Sequence, residues 1–223
     1  MKPYISLISA TLVCCLALSP VGLAGEKAQL LPKPAVDAAL TQTKSEQTAV
    51  VAGGCFWGIQ AVFQHVKGVI SATSGYSGGN AKTADYELVS TGLTGHAESV
   101  KIVYDASQIT YGELLRIFFS VAHYPTQLNR QGPDEGSQYR SAIFYNSDEQ
   151  KRIAENYVGQ LRNAGVFSRP IVTQTVPLKA FYPAEQYHQN YAANHPDSPY
   201  IVYNDAPKVA NLRKEFPTLY RNK

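Results

Sequence analysis

The sequence is poor in cysteine, methionine and tryptophan, with three, one and one of these residues in a chain of 223. So few cysteines exclude a disulfide-rich scaffold. Charged residues make up only 17% of the chain, and 20 basic against 17 acidic residues leave a net charge of +3. This weak positive charge excludes binding through a dense phosphate-seeking surface, so we expect no nucleic-acid partner. No run of about 18 apolar residues marks a membrane span.

The chain is rich in apolar and aromatic residues. Hydrophobic residues make up 44% of it, and there are 15 tyrosines. This composition is too apolar for a disordered protein, and the length is sufficient for one sizeable core.

The first 24 residues have the pattern of a secretory signal peptide. Lys2 provides the positive start, and residues 5–18 form an uncharged, mostly apolar run. Gly22 and Ala24 fit the small-residue positions of a cleavage site. An uncleaved N-terminal anchor is the alternative interpretation. We expect an exported protein, in a periplasm, with no stable membrane association after cleavage.

Cleavage would change the cysteine content. It would remove Cys14 and Cys15 and leave Cys55 as the single cysteine. Exported proteins with structural disulfides carry paired cysteines, and this chain could not form an internal one. The remaining thiol is either a liability in an oxidising compartment or a functional group.

The rest of the chain divides into a polar, loosely held arm over residues 25–47 and one domain over 48–223. Hydrophobic periodicity predicts four strands, over 48–52, 98–104, 140–145 and 171–176. It also predicts helices over 55–66, from residue 110 onward, over 147–165 and around 184–193, and glycines indicate a turn over 75–79. Thr110 with Glu113, and Ser147 with Gln150, have the spacing of capping boxes. From residue 183 the tail looks aromatic and irregular. An α+β fold, a compact two-layer sandwich with a mixed sheet, fits this order best.

Cys55 is placed where a catalytic cysteine is expected. It follows a strand and two glycines and begins a helix, so backbone N–H groups and the helix dipole favour its thiolate form. The alternative is a buried structural cysteine. Phe56 and Trp57 follow at once, and since successive helical residues project about 100° apart, at least one of them should line an apolar pocket beside the thiol.

Glu98 is the second chemical signal. Alternation places its carboxyl on the same strand face as Val100 and Ile102. On a core face, burial would keep the acid neutral and able to donate a proton; at the sheet rim it would stay ionised. Alternation alone leaves both readings open. Tyr86, Tyr139 and Asp134 are weak signals individually, although the last two lie in a polar, glycine-containing loop typical of sites.

The five histidines have no metal-ligand spacing, so we expect no metal. A Cys/His hydrolase, with Cys55 activated by one of these histidines, is an alternative to other thiol chemistry. It predicts that loss of one histidine abolishes activity, whereas Glu98→Gln hardly matters.

Five segments resemble the A-type peptide methionine sulfoxide reductases. They are GCFWG at 54–58, GYSGG at 75–79, YELVSTGLTGHAESVKIVYD at 86–105, PTQLNRQGPDEGSQYRSAI at 125–143 and FYPAEQYHQNY at 181–191. The resemblance as a whole covers about residues 48–217. The resemblance implies a compact α+β sandwich and reduction of the S epimer of methionine sulfoxide, free or in oxidised proteins.

The resemblance also implies roles for individual residues. Cys55 is the expected nucleophile, Glu98 the acid that protonates the sulfoxide oxygen, and Tyr86 and Tyr139 the hydroxyl donors to that oxygen. Asp134 is expected in the same hydrogen-bonded network. Phe56 and Trp57 are expected to form the walls of the pocket for the substrate S-methyl group.

One departure from the family affects the expected cycle. Many relatives carry resolving cysteines near the C-terminus, whereas residues 181–223 contain none. The sulfenic acid expected on Cys55 would therefore need an external thiol, from a thioredoxin-like protein, a glutaredoxin or glutathione, and no other cofactor. We expect a monomer. A protein that binds methionine sulfoxide without reducing it is a further alternative.

Overall fold

The computed structural model describes residues 28–222. The predicted signal peptide lies outside the described residues, as does Lys223. Within this range no helix is both long and apolar enough to cross a membrane.

The fold alternates strands and helices without a strict repeat. The strands are β1 (Glu46–Ala52), β2 (Val69–Ser77), β3 (Ala97–Asp105), β4 (Arg130–Gln131), β5 (Asp134–Glu135), β6 (Ala142–Tyr145), β7 (Gln174–Pro177) and β8 (Phe181–Pro183). The helices are α1 (Phe56–Gln64), α2 (Tyr86–Val89), α3 (Tyr111–Ile117), α4 (Asp148–Asn163), α5 (Tyr191–Asn194) and α6 (Ala206–Glu215).

Six of the strands form one mixed sheet in the order β7-β6-β1-β3-β2-β8. Only the pairing of β6 with β7 is parallel, and the other four pairings are antiparallel. β4 and β5 form a separate two-stranded hairpin. The sequence-based prediction of an α+β fold with a mixed sheet is confirmed.

The main core lies between one face of the sheet and the helices. Because side chains alternate along a strand, Val51 of β1 joins this core while Val50 points to the opposite face. There it packs with a small cluster that includes Ala97 and Phe144. Because the helices and the main core lie on one face of the sheet, the fold has the two layers expected from the sequence.

The predicted capping boxes are half correct: both N-caps are present, but Glu113 Oε1 accepts from Arg116 and Gln150 Oε1 from the Asn146 N–H, so neither box is closed. Thr110 Oγ1 accepts a hydrogen bond from the backbone N–H of Glu113 at 3.1 Å, and Ser147 Oγ accepts one from Gln150 N–H at 3.2 Å. These bonds satisfy donors that the first helical turn cannot pair internally. They fix the starts of α3 and α4.

The predicted turn over 75–79 is only partly correct. Gly75, Tyr76 and Ser77 continue β2, and Tyr76 pairs with Glu98 on β3. The chain turns at Gly78, whose φ of +105° favours glycine. Gly75 does not end the strand. It lets β8 lie close to β2, because a side chain at this position would overlap Phe181 on β8.

The arm differs from its expectation over residues 28–45. It has no helix or strand, but it is held against α3 and α4 by specific contacts. Leu31 is buried, the backbone N–H of Gly112 donates to Asp37 at 2.8 Å, and Tyr157 Oη donates to the carbonyl of Pro32 at 2.9 Å. Composition did not reveal these contacts because their partners lie more than 70 residues away.

The tail is more regular than predicted. The helix expected around 184–193 is reduced to a single turn at Gln186–His188 and the short α5, while α6 forms further along. Beyond α6, the backbone N–H of Arg221 donates to the carbonyl of His65 at 2.9 Å. The tail therefore runs along α1, with Asp205 against Gly58 near the start of the helix and Arg221 at its end.

Candidate functional site

Cys55 lies at the junction of β1 and α1. Gly54 has a φ of +93°, which lets the chain turn sharply from strand to helix, and a side chain there would overlap Gln131. Cys55 is the N-cap residue of α1 and is only 8% exposed. It is the single cysteine in the described part of the chain, and it is free.

Glu98 is held beside Cys55 by the first backbone donor of α1. The N–H of Phe56 donates to Glu98 Oε2 at 3.0 Å, and the residue is only 3% exposed. Burial raises the pKa of Glu98 to about 8. The hydrogen bond from the Phe56 N–H lowers this pKa, and the charges of Asp134 and Asp205 raise it further. Of the two readings that alternation left open, the structure supports the core-facing acid, mostly protonated at pH 7.

The Cys55 thiol has a higher pKa than its position suggested. Burial raises the pKa well above the usual value for cysteine, and the charges of Glu98 and Asp205 raise it further. The Trp57 N–H at the helix end and Lys208 lower the pKa, as expected, but by less. Desolvation outweighs the helix dipole, so the expected resting thiolate is a neutral thiol here.

Tyr86 and Tyr139 both lie within electrostatic range of the cysteine and the acid. Burial raises the pKa of each hydroxyl, and the charges of Glu98 and Cys55 raise it further. Both hydroxyls therefore stay protonated and can act as hydrogen-bond donors at neutral pH. They come from distant segments, α2 and the single turn Ser137–Tyr139 before β6.

Asp134 is linked to the site through a residue that the sequence did not indicate. Tyr200 Oη donates to Asp134 Oδ2, and burial raises the pKa of both groups. The charge of Asp134 also raises the pKa values of Glu98 and Tyr139, so Asp134 lies within electrostatic range of the site. Its predicted hydrogen-bonded link to Cys55, Glu98 and Tyr86 stays a prediction. Tyr200 was missed because it is one of 15 tyrosines in the chain and lies in a tail with no clear period.

The two aromatic residues after Cys55 have different environments. Phe56 is fully buried in the main core, so its predicted role as a pocket wall stays a prediction. Trp57 is half-buried and stacks on Tyr191, with ring centroids 3.8 Å apart and planes at 10°. Its Nε1 donates to His188 Nδ1 at 3.2 Å. The indole is therefore fixed in position, with one face against Tyr191 and its N–H bonded to His188.

An ion pair lies beneath the start of α1. Asp205 Oδ1 is 3.1 Å from Lys208 Nζ, and Asp205 Oδ2 is buried without a hydrogen-bond partner among the described residues. A β-carbon at Gly58 would overlap this carboxylate. Sequence reasoning missed the pair, because only the return of the tail along α1 places it next to Cys55.

No histidine forms a hydrogen bond to Cys55 within residues 28–222. The ring nitrogens of His123 contact the Phe118 carbonyl and Ser141 Oγ, at 3.0 and 2.9 Å. His188 Nδ1 is occupied by Trp57, and burial lowers the pKa of His188. The described residues also contain no cluster of three or more metal-ligating side chains. The geometry gives the Cys/His hydrolase no support.

Residues 47–219 match a family model described as peptide methionine sulfoxide reductase. The chain belongs to this family. The match begins at β1 and ends after α6, so it includes every residue of the site described above.

Individual relatives agree with the family match. Peptide methionine sulfoxide reductase MsrA 2 of Mesorhizobium japonicum is 61% identical over 177 residues, which are 79% of this chain and 91% of that protein. MsrA of Thermus thermophilus is 47% identical over 176 residues, 79% of this chain and 98% of that protein.

Solved structures of reductases also share the fold. The reduced form of Mxr1 from Saccharomyces cerevisiae superposes with a TM-score of 0.61 at 30% identity, covering 72% of this chain and 94% of that one. Methionine sulfoxide reductase A of Corynebacterium diphtheriae gives 0.59 at 35% identity, with 78% and 88% covered.

In this reductase-family site, Gly58→Ala is expected to disturb the ion pair below α1. The added methyl group would overlap the Asp205 carboxylate and reach Lys208 Nζ. We expect the free energy of unfolding to fall by about 1–3 kcal/mol, measured by urea denaturation. Gly159→Ala is the matched control, since nothing lies within 4 Å of its added carbon inside α4. That variant should gain up to about 1 kcal/mol, and an equal loss in both variants would contradict the account.

The ionisation of Cys55 gives a second test of the same site. In the free protein, the pH midpoint of Cys55 alkylation by iodoacetamide should lie above the usual value for cysteine. Glu98→Gln removes a negative charge beside the sulfur, which stabilises the thiolate, so the midpoint should fall by roughly one pH unit. The exposed Glu87→Gln should leave it unchanged. A midpoint that stays or rises in Glu98→Gln would show that the two groups do not interact.

Proposed function

We propose that the protein reduces the S epimer of methionine sulfoxide to methionine, free or in oxidised proteins. The observation that carries the proposal is a free thiol, Cys55, next to a buried acid, Glu98, that stays mostly protonated at pH 7. A sulfoxide is a poor electrophile until its oxygen is hydrogen-bonded or protonated. This pairing supplies both the nucleophile and the proton that the reaction needs.

The proposed reaction balances within the site. Glu98 donates its proton to the sulfoxide oxygen while Tyr86 and Tyr139 donate hydrogen bonds to it. The Cys55 sulfur attacks the substrate sulfur to form an S–S bond, and the thiol proton returns to Glu98. The hydroxyl group then moves from the substrate sulfur to the Cys55 sulfur, while the S–O bond of the substrate and the new S–S bond break. Cys55 is oxidised to a sulfenic acid and the sulfoxide is reduced to methionine, with no reductant consumed in this step. The raised pKa values of both groups support a start from two protonated side chains.

The fixed indole of Trp57 supports the choice of epimer. Stacking on Tyr191 and the hydrogen bond to His188 fix the indole, so a methyl group packed against its other face would meet a surface of fixed orientation. With the oxygen directed to the acid and the methyl group to the indole, only one configuration at sulfur keeps the remaining carbon substituent out of the path of Cys55.

Regeneration is proposed to use a thiol from another molecule. Cys55 is the single cysteine of the described residues, so none of them offers a second thiol for a disulfide. A thioredoxin-like protein, a glutaredoxin or glutathione would supply the two electrons through a mixed disulfide.

Export to the periplasm is proposed from residues 1–24 alone, through their positive start, apolar run and small-residue cleavage pattern. Mass spectrometry of the protein from a periplasmic fraction should give a chain that begins at Gly25. A full-length chain in the membrane fraction would instead support an uncleaved anchor.

The function is tested by one turnover without added reductant. The reduced protein is mixed with an excess of a peptide carrying either epimer of methionine sulfoxide, and the methionine formed is counted. We expect about one methionine per protein from the S epimer and none from the R epimer. Product from the R epimer, or continued turnover without a thiol, would contradict the proposal.

A further inference from the structure

Asp205 is a buried carboxylate that its own helix does not use. It directly precedes α6, yet its side chain makes no capping hydrogen bond to that helix. The side chain is 0% exposed, and Oδ2 has no hydrogen-bond partner among the described residues. Burying a carboxylate with an unpaired oxygen is costly, because the water it loses is not fully replaced. Such a group in a native structure calls for a reason other than stability.

The Asp205 carboxylate lies against the first turn of α1 instead. This helix begins at Phe56, directly after Cys55, and Gly58 is its third residue. A β-carbon at Gly58 would overlap both Asp205 Oδ1 and Lys208 Nζ. Glycine at this position therefore lets the ion pair approach the helix start that carries the thiol.

Asp205 holds the ammonium group of Lys208 in a fixed place. Lys208 Nζ donates to Asp205 Oδ1 at 3.1 Å, and only 17% of the lysine side chain is exposed. Lysine is rarely buried to this extent unless it is paired. Lys208 and Cys55 line the same cavity of about 580 Å³, together with Asp134 and Tyr200 of the site described above. The buried acid thus anchors a cation in the wall of the cavity that the thiol faces.

The other groups around the Cys55 sulfur are acids and hydroxyls. In the described part of the chain they come from α2, β3, β5, the turn before β6 and the tail: Tyr86, Glu98, Asp134, Tyr139, Tyr200 and Asp205. Among the charges that shift the pKa of Cys55 most, Lys208 is the one cation. A sulfur that loses its proton here gains negative charge beside other acids, so one fixed cation has a large effect on it.

The other basic side chains that line the cavity do not replace Lys208. Burial lowers the pKa of His123 to about 3, so its ring is neutral at pH 7. Arg130 is paired with Glu135 at 2.7 Å. Neither Arg130 nor Arg169 is among the groups that shift the pKa of Cys55 most. Lys208 is therefore the cation placed to act on the sulfur.

We propose that Asp205 and Lys208 are positioning residues for the reaction at Cys55. Asp205 fixes the Lys208 ammonium group in the cavity wall, and Lys208 stabilises the sulfur as its proton leaves and the bond to the substrate sulfur forms. This inference rests on the proposed function, to which it adds a fixed positive charge. Neither residue exchanges a proton or an electron, and the thiol proton still returns to Glu98.

The test compares two single variants of the full chain by the pH midpoint of Cys55 alkylation with iodoacetamide. Lys208→Met keeps the apolar stem but removes the cation, so the midpoint should rise by roughly one pH unit. Asp205→Asn keeps the shape and an oxygen that accepts from Lys208 Nζ, but removes a negative charge. Its midpoint should fall by roughly one pH unit. A merely structural role would not shift the two midpoints in opposite directions.

The double variant and a surface control complete the comparison. Asp205→Asn/Lys208→Met removes both charges, so its midpoint should return to within about half a pH unit of the unmodified protein. Lys214→Met is the matched control, because Lys214 is also in α6 but its side chain is 78% exposed and pairs with Glu215. Its midpoint should not change.

The rate of the first turnover connects the pair to the reaction. With the S epimer and no added reductant at pH 7, methionine formation should slow by about tenfold in Lys208→Met and stay within about twofold in Lys214→Met. The yield should remain about one methionine per protein in both variants, since neither change removes the thiol.

Three outcomes would overturn the inference. The first is an unchanged midpoint in Lys208→Met, and the second is a shift of both single variants in the same direction. The third is a slower turnover of Lys208→Met without a change in midpoint, which would show that the pair acts through the fold alone. Should Lys208→Met fail to fold, Asp205→Asn decides, because a midpoint that stays or rises there contradicts the inference. Failure of the proposed function is distinguishable, because the unmodified protein would then form no methionine, whereas alkylation needs no sulfoxide.

Discussion

Glu98→Gln is expected to slow the first turnover of S-methionine sulfoxide by about 10²- to 10⁴-fold, the usual contribution of a positioned general acid. The amide keeps the shape of the side chain and can still accept the hydrogen bond from the Phe56 N–H, which is 3.0 Å from Glu98 Oε2. It cannot transfer a proton to the sulfoxide oxygen. The loss should therefore fall on the chemical step rather than on the fold or on substrate binding.

The measurement for this variant is the rate of methionine formation in rapid quench. Glu87→Gln is the control, because Glu87 is an exposed acid next to Tyr86 on α2. Its rate should stay within about twofold, whereas the Cys/His hydrolase would predict little effect of either change. A fall of less than about threefold in Glu98→Gln would remove the acid from the mechanism.

Cys55→Ser is expected to abolish methionine formation while substrate binding persists. A serine hydroxyl at this site cannot be oxidised by the sulfoxide, so no oxygen acceptor remains. The side chain is nearly isosteric and Cys55 is almost fully buried, so the pocket should keep its shape.

Binding to Cys55→Ser is measurable through Trp57, which is the only tryptophan in the sequence. Its fluorescence should change on addition of the S epimer and respond less to the R epimer. A protein that only binds methionine sulfoxide would give the same signal, but its unmodified form would release no methionine. Residual turnover in Cys55→Ser would place the chemistry on another residue.

The sequence was informative where function depends on local order. The glycine pair before Cys55 and the N-caps at Thr110 and Ser147 involve neighbours in the chain, and the structure contains all of them. Alternation placed Glu98 on a strand face but could not say that this face is buried. That required the pairing of β3 with β1 and β2.

What the sequence did not reveal depends on distant parts of the chain. Tyr200 and Asp205 reach the site only because the tail turns back along α1, and Asp37 reaches α3 from the arm. The ionisation of Cys55 was misjudged for the same reason. The helix start is a local feature and lowers the pKa, but burial and the Asp205 charge come from tertiary packing and raise it further.

The central claim is that Cys55 takes the oxygen from the substrate. The most direct test is mass spectrometry of the protein after one equivalent of S-methionine sulfoxide peptide, without reductant, with a dione reagent to trap sulfenic acid. The account predicts a gain of one oxygen atom at Cys55, a trapped adduct on the same residue, and neither after the R epimer. An unmodified Cys55 after methionine has formed would contradict it.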